Sequence, residues 1–270
     1  MRVLTYAIVA AVAYIILHIV WNGAPAMSWA FLTEMPRNSG VEGGIYPAIV
    51  GTGLLVLGTM VVALPLGMAC AIYLSEYASQ SRFTSFIRLA IATLAGVPSI
   101  VFGLFGLGLF VIFLNFGSSI LAGSLTLACM VLPTVIVASE ESLRAVPRSQ
   151  REGSLALGAS QWYTVSHNVL PYAVPGMVTG SVLAVGRAAG ETAPILLTVA
   201  ASFLPRLPQT VYDQVMALPY HLYILATQNP DAEAARPNQY GTALVLLLLV
   251  LGVNCAAILI RYRFRKKYKW

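Results

Sequence analysis

The stretch VPGMVTGSVLAVGRAAGETAPILLTVAASF, residues 174–203, decides how this chain is read. It is an apolar run with two opposite charges inside it, in Arg187-Ala188-Ala189-Gly190-Glu191-Thr192. A bilayer core about 30 Å thick is crossed by roughly 20 helical residues, so the run is long enough to span. An ionisable group in such a helix costs roughly 2.5–3.5 kcal/mol on insertion scales. Four residues apart, Arg187 and Glu191 share one helix face and can pair. A pair that expensive in a membrane is read as functional before it is read as a staple between helices.

Composition says that lipid is the solvent for the rest as well. The 270 residues are 58% hydrophobic and 10% charged, with a mean hydropathy of +0.79, whereas a soluble domain is about 25% charged. Six apolar stretches are long enough to cross, at about 3–21, 45–74, 86–114, 120–139, 174–203 and 242–260. Barrel strands are about ten residues of alternating polarity. These runs are longer and apolar all round, so the fold class is an all-α integral membrane protein with about six transmembrane helices in a single domain. The first run, with Arg2 before it and Ala24-Pro25-Ala26 after it, resembles a signal peptide. It exceeds the usual core of 7–15 residues and is read as a retained anchor span. Cys70, Cys129 and Cys255 stand alone in apolar runs, as small core residues.

The net charge of +6 does not point to nucleic acid, because much of it sits in the last ten residues beside a span. Basic residues there orient the chain and touch anionic lipid. With the N-terminus inside, the inner segments hold Arg2, Arg82, Arg88, Arg144, Arg148, Arg151, Arg261, Arg263, Arg265, Lys266, Lys267 and Lys269. The outer ones hold only Arg37, Arg206 and Arg236. That bias predicts both termini in the cytoplasm. The outer segments 23–44 and 204–240 carry Trp29, Tyr212, Tyr220, Tyr223 and Tyr240, which suit the headgroup layer.

The inner segment 140–171 is the second signal. Ser149-Gln150-Arg151-Glu152 has the spacing of a capping box. A helix of about two turns then runs to Leu157, Gly158 is placed where φ > 0 is needed, Ser160 can cap a second helix, and Pro171 ends the stretch. The product is a helix, a Gly turn and a helix, with Leu155, Leu157 and Trp162 available to a partner. The plainer alternative is an amphipathic helix on the lipid surface.

Here a resemblance becomes specific. Glu152-Gly153-Ser154, then Gly158, then Leu170-Pro171 match the spacing of the E-A-A-x3-G-x9-I-x-L-P motif of ABC-importer permeases. Gly153 and Ser154 replace that family's alanines, and Asn168 replaces an aliphatic residue. Gly43–Thr52, Leu64–Gly67, Tyr73–Tyr77, Gly96–Gly103, Leu132–Thr134, Glu140–Pro147 and Arg187–Pro194 are similar to the PstA-type permease of the phosphate-specific ABC importer. The resemblance implies a MetI-like type I importer permease in a bacterial inner membrane. It implies a coupling helix whose ATPase-docking residues are Glu152, Gly153, Ser154, Leu155, Gly158, Leu170 and Pro171. The partners it implies are a PstC-type second permease, two copies of a PstB-type ATPase and a PstS-type phosphate-binding protein outside. ATP and Mg would be used by the ATPase, with no cofactor in this chain.

The residues fit such a path. Arg187 offers a planar fork of donors to an oxyanion, and Glu191 balances it when the path is empty. Ser99 and Thr192 are candidate neutral donors, although hydroxyls in spanning helices often bond their own backbone. Gly180, Gly186 and Gly190 are read as close-packing positions. The chain carries no ATPase of its own, because its lysines are Lys266, Lys267 and Lys269, which excludes G-x4-G-K-[ST]. His18, His167 and His221 are scattered and form no H-E-x-x-H, no aspartate lies in a span, and G-x-S-x-G is absent. Those absences argue against an intramembrane enzyme. A stand-alone anion carrier would also bury an Arg–Glu pair, but would not need the helix–turn–helix beneath the membrane.

Overall fold

A computed structural model describes residues 2–204 and 206–267. Among them, five helices are long and apolar enough to cross a bilayer, at Val3–Ala26, Tyr46–Tyr77, Ile120–Arg144, Gln161–Gly190 and Arg236–Ala256. A bent pair, Arg82–Leu94 with Ser99–Phe113, makes a sixth crossing if counted as one. In chain order the helices are α1 (Arg2–Gly23), α2 (Trp29–Thr33), α3 (Tyr46–Ile72), α4 (Arg82–Leu94), α5 (Ser99–Gly106) and α6 (Ile120–Arg144). They continue as α7 (Arg148–Ala156), α8 (Gln161–Thr164), α9 (Leu170–Gly190), α10 (Ala193–Thr198), α11 (Leu218–Thr227) and α12 (Arg236–Lys267). A two-residue ribbon, β1 (Pro36–Arg37) against β2 (Glu42–Gly43), lies between α2 and α3. Three π-helical segments follow α3 (Tyr73–Tyr77), follow α5 (Leu107–Phe113) and precede α9 (Val165–Val169). Lys269 lies outside the described residues, as do the side chains of Arg2, Arg261, Arg265, Lys266 and Lys267.

Two expected spans are broken, each by a proline. The run 86–114 bends by 102° between α4 and α5. Pro98 stands at the bend with φ −57 and ψ 139, and a proline bars the residue before it from helical geometry. The run 174–203 stops at Gly190. Pro194 has no N–H for the carbonyl of residue 190, and its ring would strike that carbonyl in a continuous helix. Glu191 is therefore extended, at φ −77 and ψ 133, and the chain restarts as α10.

α6 is the centre of the bundle, packed between α3 and α9, with Leu127, Met130, Val131 and Val135 buried. In lipid the helices are held by close packing rather than by exclusion of water. Small residues supply it: Gly67 faces Val135, and a Cβ at Gly180 would collide with that of Ala138. α12 packs on α9, where a Cβ at Gly186 would stand 3.0 Å from Asn254 Oδ1. α1 lies outside, against α12.

The segment read as a long outer loop is partly core. Leu218, His221, Ile224 and Leu225 of α11 are buried, and Tyr220, one of the expected headgroup-layer aromatics, packs partly buried against the main cluster. The chain leading to α11 closes the N-terminus of α6. The Ile120 N–H donates to the Asp213 carbonyl at 2.9 Å, and the Leu121 N–H to that of Val211 at 2.9 Å. The Ala122 N–H donates to Ser119 Oγ at 3.2 Å. These are donors that a helix cannot satisfy internally. Asn238 Nδ2 then clasps the other loop, donating to the carbonyls of Gly40 at 2.8 Å and Val41 at 2.9 Å.

Candidate functional site

α9 carries Arg187 into its last turn, where Nε donates to Glu191 Oε1 at 3.3 Å. The expected pair forms, but across a helix end and not along a helix. The C-terminal turn suits a cation, since the unpaired carbonyls of the helix point there. Arg187 keeps 38% of its side chain exposed and Glu191 18%. The pair engages one of the five guanidinium donors; Arg187 makes no other hydrogen bond among the described residues. Glu191 faces inward and lines a void of about 10 Å³ with Thr52, Leu55, Ala188, Ile195 and Ala217.

Ser99 begins α5 and Thr192 immediately precedes α10. Hydroxyls inside the long helices turn back on the preceding turn: Thr126 of α6 donates to the Ala122 carbonyl at 2.7 Å and Ser181 of α9 to that of Met177 at 2.8 Å. At a helix start there is no such turn behind the residue, and neither the Ser99 nor the Thr192 hydroxyl makes a hydrogen bond among the described residues. Their helices touch, since a Cβ at Gly103 of α5 would stand 3.0 Å from Pro194 Cα of α10. No hydrogen bond joins Ser99 to Arg187, Glu191 or Thr192. A Cβ at Gly190 would meet nothing within 4 Å, so this glycine makes no close packing within the chain.

At the other end, α7 and α8 form the helix pair. The capping box does not close. Pro147 holds the N-cap position without a side-chain bond, which puts Ser149 inside the first turn and leaves Glu152 exposed. The turn itself is as the spacing demands. Gly158 has φ +82; its N–H donates to the Leu155 carbonyl at 3.0 Å and the Ala159 N–H to that of Ser154 at 3.3 Å. These are the two bonds of a Schellman closure. Ser160 Oγ accepts from the Tyr163 N–H at 3.2 Å and caps α8, and the Ser154 and Thr164 hydroxyls bond at 2.9 Å.

A cleft of about 720 Å³ lies in this pair, lined by Gly153, Ser154, Leu157, Gly158, Tyr163 and Asn168 among others. Leu157 is 90% exposed, and Leu155 and Trp162 also stand out. Glu152 and Leu155 face a second cleft of about 940 Å³. Leu170 sits apart from that face, packed against the cluster of Ala71, Leu74 and Val169. Pro171 does not end the stretch. It occupies the first turn of α9, where no N–H is required, and the chain is helical from Gln161 to Gly190.

The second cleft holds groups that sequence reasoning missed. Arg151 grips Glu76 with two bonds, Nε to Oε2 at 2.9 Å and Nη2 to Oε1 at 2.7 Å. It also donates to the carbonyls of Val146 at 2.7 Å and Leu143 at 2.8 Å, at the end of α6. Glu140 Oε1 accepts from Arg88 Nε at 2.8 Å and Arg144 Nη2 at 2.7 Å. Glu140 and Arg144 are four apart on one helix and could have been paired from sequence. Glu76 and Arg151 are 75 apart, with no local signal.

Known proteins share both the fold and the sequence. The chain is 35% identical over 266 residues, 93% of its length and 89% of the relative's, to the probable ABC transporter permease protein YqgI of Bacillus subtilis. It is 40% identical over 222 residues to the phosphate transport system permease protein PstA 1 of Mycobacterium tuberculosis, covering 82% of this chain and 71% of that one. The solved bacterial alginate ABC transporter, in complex with a pentasaccharide-bound periplasmic protein, superposes with a TM-score of 0.65 over 96% of this chain and 95% of its own, at 14% identity. Residues 63–270 match the binding-protein-dependent transport system inner membrane component, and the chain belongs to that family of ABC-importer permeases.

Proposed function

We propose that this chain is the PstA-type permease of an importer that carries inorganic phosphate inward across the bacterial inner membrane, forming half of the path beside a second permease. Arg187 is the anion contact and Glu191 its counter-ion, with Ser99 and Thr192 as neutral donors beside them. The observation that carries the reading is the Arg187 guanidinium, which stands at a helix break in the membrane with donors to spare. Phosphate as the cargo is supported by the 40% identity to a phosphate permease. α7, the Gly158 turn and α8 dock a separate ATPase through Glu152, Gly153, Ser154, Leu155 and Gly158, while Leu170 and Pro171 set the root of α9. A binding protein delivers substrate from outside, a role supported by the periplasmic protein on the alginate transporter. Both termini are cytoplasmic, as the arginine and lysine bias requires.

Uptake of radiolabelled phosphate by cells with and without the gene tests the function. Loss of uptake on deletion, restored by the gene and not diluted by excess sulfate, is the expected result. Undiminished phosphate uptake in the deletion strain, with no second phosphate system active, would refute it.

A further inference from the structure

We propose that Glu76 is the strut through which movement of the α7–α8 pair reaches α3, by way of Arg151. The inference rests on the reading of that pair as the ATPase-docking element. The pair is joined covalently to α6 on one side and, through the π-helical segment 165–169, to α9 on the other. α3 has no covalent connection to it nearby. The three hydrogen bonds from the pair to the end of α3 all converge on Glu76: two from Arg151 to its carboxylate, and one from Gln161 Nε2 to its backbone carbonyl.

Geometry favours a link that stays closed under load. The contact is bidentate, which fixes orientation as well as distance. Glu76 keeps 6% of its side chain exposed and Arg151 20%, so water does not readily compete. Arg151 is itself braced by the Leu143 and Val146 carbonyls. Its head therefore cannot swing without disturbing the end of α6. The Arg88–Glu140–Arg144 cluster nearby joins α4 to α6 and, from Arg88 Nη2 to the Leu74 carbonyl at 2.7 Å, to the turn after α3, but it makes no bond to α7 or α8, so it cannot serve the same purpose.

A second observation concerns compliance. Glu76 lies in the π-helical turn Tyr73–Tyr77, and the root of the docking pair is the π-helical turn Val165–Val169. Such turns hold an extra residue and occur often at functional positions in helices. The attachments of the docking pair to α3 and to α9 thus each pass through a widened turn, whereas the one to α6 runs directly through residues 145–147. α3, α6 and α9 are mutually packed. A displacement of α7 would then act on α9 along the chain and on α3 through Glu76, and so on the helix whose last turn carries Arg187.

The test uses the complete importer in proteoliposomes. Two quantities are read: stimulation of ATP hydrolysis by phosphate-loaded binding protein, and phosphate moved per ATP hydrolysed. Glu76→Gln removes the charge at nearly constant volume and leaves the face of α7 and α8 unchanged. The ATPase should still co-purify, while stimulation and the transport ratio both fall by about tenfold, within the range of a coupling between distant sites. Arg151→Lys, which keeps a charge but loses the fork, should fall between that variant and the native protein. Unchanged ratios per assembled complex in both Glu76→Gln and Glu76→Ala would overturn the strut, including the case in which less complex assembles. If the native chain brings no ATPase with it, the docking reading falls and the strut with it; if the ATPase is present and coupling unchanged, the strut alone falls.

Discussion

Replacing Arg187 by alanine separates an anion contact from a structural staple. At 3.3 Å and an effective dielectric of 20, the attraction between the two charges is about 5 kcal/mol before desolvation is subtracted. Truncating one partner of a fully buried pair costs about 3–5 kcal/mol, whereas an exposed pair is worth about 0–1 kcal/mol. Arg187 is 38% exposed and Glu191 18%, so the loss in stability should fall between, at about 1–3 kcal/mol. The effect on transport has a separate origin. A charge-assisted hydrogen bond to substrate contributes about 1.5–3 kcal/mol, which corresponds to roughly 10- to 150-fold in uptake at subsaturating phosphate. The assay is radiolabelled uptake in a deletion strain carrying each variant, normalised to the amount of chain in the membrane. Arg187→Ala should lose uptake far beyond its loss of protein. Glu191→Gln, which keeps the guanidinium, should lose less. Exchanging the two residues moves the guanidinium onto the extended residue 191, over a void of only about 10 Å³, and should not restore transport. Native uptake by the exchanged protein, or by Arg187→Ala per unit of protein, would refute the contact.

Three other outcomes are expected. Gly158→Ala forces a side chain into φ +82, at a cost of roughly 1–2 kcal/mol, and should reduce recovery of the ATPase in a pull-down. Gly153→Ala, where a Cβ meets nothing within 4 Å, should not reduce it. Burial pushes the His221 pKa down to about 4 from 6.5. The unfolded chain therefore binds the extra proton, so stability in detergent should be level above pH 6.5 and decline between there and pH 4, by about 3 kcal/mol in all; a melting temperature flat across that window would contradict the burial. A cysteine placed at Asn229, with the native cysteines replaced, should react with an impermeant thiol reagent added from outside, and labelling only from the cytoplasmic face would invert the topology.

How much was legible follows from the range of each interaction. The helices and the Gly158 turn are local, written in runs of apolar residues and in one glycine at the end of a helix. Pro98 and Pro194 were equally visible, yet the apolar runs around them hide the breaks, because prolines are tolerated inside other spans of this chain. Pro65, Pro133 and Pro175 sit within helices. What differs is the company: Pro98 follows Gly96, and Pro194 follows Gly190 and two hydrophilic residues, so the helix has less to lose by ending there. Contacts between distant residues left no local mark. Nothing near Glu76 announces Arg151, and nothing in Val211 or Asp213 announces that their carbonyls close the N-terminus of α6.

The described chain shows 15123 Å² to its surroundings, while a soluble monomer of 28.9 kDa would show about 11,000 Å². Lipid is a sufficient neighbour for most of the excess, such as Val9, Ile15 and Leu17 along α1 or Ile112 and Phe113 after α5, since hydrocarbon penalises none of these side chains. It is not a sufficient neighbour for Arg187. A guanidinium with unused donors facing acyl chains would carry the full penalty of an intramembrane charge. The exposed side of Arg187 therefore demands water or a polar surface beside the end of α9, where among the described residues only Glu191 hydrogen-bonds it. The second permease proposed above, facing this chain across an aqueous path, would meet that demand. The same arrangement would put the guanidinium where a passing oxyanion could meet it.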